Sequence, residues 1–333
     1  MARFLAPPAR RRLLLHSAVV VGLIFAGYIF FISSGVKGSV GFDIVAYWTV
    51  NLGAPYHGNV GDLGFFAYSP PVALILAPFT ALPFPVFATG WYVLLVTTLA
   101  WLGQRQMLLL LAFPPVALDL YHGNIHLLLA AAIVLGMRYP AAWSFVLLTK
   151  VTPGVGLLWF AARREWRSLA IALGATALIV GVTFAFLPTQ WLGWLDMLGM
   201  SAGTPPPWPA LPIPLVARLP IAALIVVWGA RRDARWTVPV AAALALPALW
   251  PGGFAILAAC WPLRSASSSQ RVPAANDAEY HASDGRQPTV AAAYRHSRPA
   301  GVQRSGTHRV GAGRAFWLSP PWRPGTRGRP FGD

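Results

Sequence analysis

Ser168-Leu169-Ala170-Ile171-Ala172-Leu173-Gly174-Ala175-Thr176-Ala177-Leu178-Ile179-Val180-Gly181-Val182-Thr183-Phe184-Ala185-Phe186-Leu187 contains no charged side chain, and Arg163, Arg164 and Arg167 stand just before it. A helix of about 20 apolar residues crosses the hydrocarbon core of a bilayer. The arginines mark the cytoplasmic end of that helix. The rest of the chain agrees. Of its 333 residues 56% are hydrophobic and 11% charged, whereas an ordinary soluble domain has about 25% charged residues. The formal net charge of +16 does not point to nucleic acid, because of where it lies. From Arg264 onward there are 11 Arg against four acids, and the other 15 basic and six acidic residues sit between apolar runs. That distribution is the positive-inside pattern of a membrane protein. The single cysteine, Cys260, excludes an internal disulfide framework and a cysteine metal site.

Arg10-Arg11-Arg12 precede the apolar residues 13–33, a run too long for the core of a cleaved signal peptide, so it reads as a retained anchor with its amino terminus inside. Residues 34–69 are then an outer loop. Residues 70–103 are apolar but interrupted by Pro78, Pro83 and Pro85, which predicts a short re-entrant piece followed by a full helix. Residues 107–121 and 125–137 are two short spans turning at His122-Gly123-Asn124. Residues 141–162, broken at Lys150-Val151-Thr152-Pro153-Gly154, read as a helix pair that dips into the membrane. Residues 188–212, rich in Trp and Pro, read as an outer loop. Residues 213–230 return inward, and residues 238–249 and 252–263 form a last pair. The fold expected is an all-α polytopic membrane bundle of about 8–10 transmembrane or half-membrane helices over residues 1–263. Residues 264–333 lack periodicity and read as a disordered, basic cytoplasmic tail, or as a frameshifted end.

Few polar residues interrupt these runs. Asp43 lies in Gly41-Phe42-Asp43-Ile44-Val45-Ala46-Tyr47-Trp48, where Tyr47 and Trp48 share a short interfacial helix with it and offer rings on which sugars stack. The plainer alternative is a solvated loop aspartate or a helix cap. Asp62, in Gly61-Asp62-Leu63-Gly64, is a rival acid that reads more readily as a turn. Tyr68 in Tyr68-Ser69-Pro70-Pro71 is a site residue or an interfacial anchor. Asp119, His122, Asn124 and His126 cluster at the end of two short spans. Asp119 and His122 have one-turn spacing, which reads as a hydrogen bond, since two ligands without a third make a poor metal site. Lys150 in an apolar run costs roughly 2.5–3.5 kcal/mol to insert. It therefore needs a partner, Asp119 or a lipid phosphate, unless it snorkels to the interface. Arg218 is a second embedded cation, suited to phosphate or to snorkelling. No phosphate loop, dinucleotide fingerprint or His-Glu-x-x-His element occurs.

Taken in order, Asp43, Tyr68-Ser69-Pro70-Pro71, Gly123-Asn124 and Lys150-Val151-Thr152-Pro153 resemble the polytopic glycosyltransferases of the GT-C type, most closely glycosyltransferase family 87, over about residues 13–194. His126 departs from the family's Gly-Gln-x-Asn element. The resemblance implies hexosyl transfer, of mannose, from a polyprenyl-phosphate donor to a glycolipid or glycan acceptor at the outer face of a bacterial plasma membrane. It implies inversion, Asp43 as general base, and no cofactor, metal or nucleic-acid partner. Lys150 and Arg218 would hold the phosphate, and Tyr47, Tyr68, Asn124 and His126 would line the sugar site. Asp62 and Asp119 are the alternative acids. A lipid or small-molecule transporter, or an inactive truncated relative, remains open from the residues alone.

Overall fold

Proline sets where many of the helices begin, because the first amides of a helix need no intrahelical partner. The computed structural model describes residues 7–33, 39–202 and 210–269. Within them the chain is helical, with one isolated antiparallel bridge between Leu211 and Leu249. The elements in order are α1 (Pro7–Ser33), α2 (Phe42–Trp48), α3 (Pro70–Leu76), α4 (Phe84–Gly103), α5 (Met107–Leu111), α6 (Pro114–His122) and α7 (His126–Gly136). After these come α8 (Trp143–Thr149), α9 (Leu158–Ala162), α10 (Trp166–Phe186), α11 (Pro188–Ala202), α12 (Leu215–Arg231), α13 (Thr237–Leu244) and α14 (Cys260–Ser269). Helices α3, α6 and α11 start on proline. Tighter 3₁₀ segments, Thr152–Leu157 and Pro251–Ala259 among them, link the short pieces.

Two segments, Phe84–Leu111 and Trp166–Phe186, are long and apolar enough to cross a membrane, and α6 with α7 makes a third if a 115° bend is allowed within one span. Shorter apolar helical stretches of 10–17 residues, such as Pro70–Phe79 and Pro140–Thr149, accompany them. Helix α10 exposes Leu178, Val182, Phe184 and Phe186 and buries only Ala172 and Thr183. A soluble protein rarely leaves so continuous an apolar surface uncovered, whereas lipid tails cover it at no cost. The chain is a membrane protein.

Several sequence expectations hold in form. A short helix precedes a long one across residues 70–103, and the helix through residues 141–162 breaks at Lys150-Val151. Others need correction. Residues 188–202 are the helix α11, not a loop. Trp191, Trp194 and Met197 recur on one face and pack with Leu148, so helical periodicity outweighs the high Trp and Pro content. Helix α14 continues to Ser269, past the boundary expected at residue 263. Most of the expected tail, residues 270–333, lies outside the described residues, as do Lys37 and residues 203–209.

Packing brings α1 against α5 and α6. A Cβ on Gly22 would stand 2.1 Å from the carbonyl oxygen of Ala112, so only glycine permits that approach. The main core joins Ile44, Tyr47 and Phe66 near α2 to Trp143, Trp159 and Phe160 of α8 and α9.

Candidate active site

Gly123 governs the assembly of the site. It ends α6 in the left-handed region at φ 69°. The Asn124 N–H donates to the Asp119 carbonyl at 3.0 Å, and the Gly123 N–H donates to that of Leu120 at 3.1 Å, the two bonds of a Schellman motif. A Cβ at position 123 would lie 2.2 Å from Cγ1 of Ile44. With no side chain there, α2 settles directly on the turn between α6 and α7. Ile44 becomes fully buried, worth about 1.5–3 kcal/mol, and the Gly41 N–H donates to the Tyr121 carbonyl at 2.9 Å.

This docking carries Asp43, in the first turn of α2, to the polar end of α6. Asp43 is half-buried. It accepts a hydrogen bond from the side chain of Asn124 and lies within electrostatic reach of His122 and Lys150. Oδ1 of Asn124 accepts the N–H of Ile125 at 2.7 Å, which turns the amide's NH₂ end to Asp43. Burial pushes the Asp43 carboxyl above the ordinary carboxylate range, while the Asn124 hydrogen bond and the His122 and Lys150 charges each pull it back. The result is a carboxylate of raised basicity, held by a neutral donor within electrostatic reach of a cation.

A second polar line joins Asp119, His126 and Lys150. Asp119, fully buried, accepts from Nδ1 of His126 at 2.8 Å and from the Leu127 N–H at 3.1 Å. Nε2 of His126 faces Nζ of Lys150 at 3.2 Å. Lys150 stands at the break between α8 and the 3₁₀ segment Thr152–Leu157, with Nζ 6.0 Å from the centre of the Tyr68 ring. Ser69 ties the two regions together. Its hydroxyl donates to the Leu148 carbonyl at 2.5 Å, and its N–H reaches the same oxygen at 3.3 Å. The Tyr68 hydroxyl meets that of Tyr47 at 3.0 Å, and Tyr47 packs on Trp91 with ring centres 4.6 Å apart.

The fold therefore brings together Asp43, Asn124, Lys150, His126, Asp119, Tyr47 and Tyr68, which the sequence scatters over more than 100 positions. Three expectations change. The partner of Asp119 is His126, not His122, whose Nδ1 lies 3.0 Å from the Leu118 carbonyl; the bend after α6 turns His126 back over Asp119. His126 is 2% exposed with both ring nitrogens engaged, and Tyr47 is 1% exposed, so neither ring presents an open surface to a sugar here. Arg218 donates to the carbonyls of Ile213, Leu244, Leu246 and Pro247, which takes up four of the five N–H donors of its guanidinium. Asp62 is exposed and accepts the Asn59 N–H at 2.7 Å, a local turn as its glycine-rich setting implied. Among the described residues no three His, Cys, Asp or Glu side chains group as metal ligands.

Sequence reasoning missed Trp91. Its Nε1–H donates to the Gly123 carbonyl at 2.7 Å, so it braces the turn while its ring packs against Tyr47. A tryptophan in an apolar helix gives no hint of this, because interfacial anchoring is its commoner role.

The family model described as glycosyltransferase family 87 matches residues 66–275. The match begins later and extends further than the resemblance over residues 13–194. It includes Tyr68, Asp119, Asn124, His126, Lys150 and Arg218, while Asp43, Tyr47 and Asp62 precede it. No curated protein and no solved structure matches.

Proposed function

The chain belongs to glycosyltransferase family 87, and we propose that this membrane glycosyltransferase transfers mannose from a polyprenyl-phosphate donor to a glycolipid or glycan hydroxyl, with inversion at the anomeric carbon. Family membership replaces the transporter reading. The observation that carries the proposal is that Asp43, held by Asn124, lies within electrostatic reach of the embedded cation Lys150. Such a pair serves a reaction that removes a proton at one end and releases a phosphate at the other.

In the proposed step the Asp43 carboxylate takes the proton of the acceptor hydroxyl as its oxygen bonds to the anomeric carbon. The bond from that carbon to the donor's phosphate oxygen breaks, and polyprenyl phosphate leaves with the electron pair. The Lys150 ammonium, a compact charge in an apolar setting, stabilises the phosphate. Asn124 orients the base, and the ring of Tyr68 borders the lysine. Arg218 has no part in this scheme, since four of its five N–H donors are held by carbonyls. We assign the site to the outer face of a bacterial plasma membrane, with the amino terminus and tail cytoplasmic. Support for that assignment comes from the arginines 105, 138, 163, 164, 167, 231, 232 and 235, which lie at the opposite ends of the apolar runs.

The test is transfer of radiolabelled mannose from synthetic polyprenyl-phosphate mannose by membranes carrying the wild type or Asp43→Asn. The expected result is transfer by the wild type and its loss in an equally abundant variant. Equal transfer by both would remove Asp43 as the base. Absence of transfer by the wild type, with other sugar donors active, would replace mannose.

A further inference from the structure

The line from Asp119 through His126 to Lys150 is more specific than a buried salt bridge. A lysine ammonium has only donors. For Nζ of Lys150 to bond Nε2 of His126 at 3.2 Å, that nitrogen must be bare, and the ring's single proton must sit on Nδ1. Nδ1 faces Oδ1 of Asp119 at 2.8 Å, which accepts it. The other oxygen, Oδ2, accepts the Leu127 N–H at 3.1 Å in the first turn of α7. Both ends of this side chain must therefore accept, which a carboxylate does and an amide does not. We propose that Asp119 is a positioning residue that fixes the tautomer of His126, so that Nε2 holds the Lys150 ammonium in place for the donor phosphate.

The proposal rests, for the identity of the group Lys150 serves, on the phosphate-donor reading above. The hydrogen-bond chain itself does not depend on it. Capping of α7 is the competing role for Asp119, and Asp119→Asn separates the two. An asparagine oxygen still caps the Leu127 N–H, as asparagine does well at helix starts. Its NH₂ end then faces Nδ1 of His126, which must become the acceptor and move its proton to Nε2. An N–H then opposes the ammonium, and Lys150 loses its seat. Capping survives and the tautomer flips.

The first readout is the ¹⁵N spectrum of the full chain, histidine-labelled in detergent micelles, with residue 126 assigned by a His126→Gln difference. The expected result is an Nδ1–H neutral imidazole in the wild type and an Nε2–H one in Asp119→Asn. An Nε2–H ring in the wild type, or an unchanged ring in the variant, would overturn the proposal, and the wild-type spectrum decides even if the variant fails to accumulate. The second readout is the donor KM in membranes. Asp119→Asn should raise it on the order of tenfold, the effect of losing one hydrogen bond to a charged group, and should raise it no further in a Lys150→Ala background. Independent, multiplying effects would show that Asp119 does not act through the lysine. Should the wild type transfer no mannose, the donor reading fails by itself and the spectrum still tests the tautomer lock.

Discussion

The hydroxyls of Tyr47 and Tyr68 lie 3.0 Å apart in the interior, each ring at least nine-tenths buried. One tyrosine comes from the short helix in the first outer loop and the other from the residue pair that opens α3. The contact fixes the loop to the membrane domain where Asp43 enters. Removing one hydroxyl strands the other away from water. Tyr47→Phe or Tyr68→Phe should each cost about 1–3 kcal/mol, and the double substitution should cost less than the sum. Thermal unfolding in detergent, compared across the four proteins, checks this; additive losses would mean that the hydroxyls do not depend on each other.

Asp43 must be ionised to accept a proton, so transfer should rise with pH as the carboxyl titrates. Burial raises that carboxyl above its ordinary value of 3.8, placing the midpoint of the rise on the alkaline side of a free aspartate. Asn124 hydrogen-bonds the carboxylate and so favours the charged form. Asn124→Ala removes that support, and the midpoint should move to higher pH. His122 and Lys150 also face Asp43 and lower it, while Tyr47 and Tyr68 remain neutral throughout this range. A pH–rate profile of kcat/KM for wild type and Asn124→Ala is the measurement. A midpoint that moves to lower pH would contradict the arrangement.

Gly123→Ala should destabilise the domain by about 1–3 kcal/mol or more, as overpacking does, and should reduce transfer by lifting α2 off its turn. The added Cβ meets Cγ1 and Cδ1 of Ile44 at 2.2 and 2.5 Å. Asparagine tolerates the left-handed backbone better than alanine but carries the same Cβ. Gly123→Asn should therefore be no better than Gly123→Ala. Near-wild-type stability for the asparagine variant would show that backbone conformation, not the contact with Ile44, makes glycine necessary.

Arg218 separates stability from chemistry. Its guanidinium serves four carbonyls at the junction of α12 with the segment after α13. Arg218→Met keeps much of the volume and strands those carbonyls, at a cost of about 1–3 kcal/mol for each that water does not reach. Melting temperature should fall, while the donor KM of the protein that remains folded should not change. A raised KM at unchanged stability would return Arg218 to the phosphate site.

Composition and charge placement determined, without any structure, that this is a helical membrane protein, because spans of apolar residues punctuated by arginine have few other physical uses. The order of short motifs was enough to identify the family. The break at Lys150 and the turn at Gly123 were also legible, since glycine, proline and a charge inside an apolar run each limit the local backbone. Tertiary structure alone decided which polar residues meet. His126, not His122, faces Asp119 because a 115° bend between α6 and α7 brings a side chain seven residues away closer than the one a helical turn away. Arg218 finds carbonyls because α13 ends at Leu244 and leaves them open. Residues 188–202 form a helix because α8 and α10 offer its tryptophans a surface, with Leu148, Ile179 and Val180 in one cluster with them. Each of these outcomes depends on partners distant in sequence, and periodicity carries no information about them.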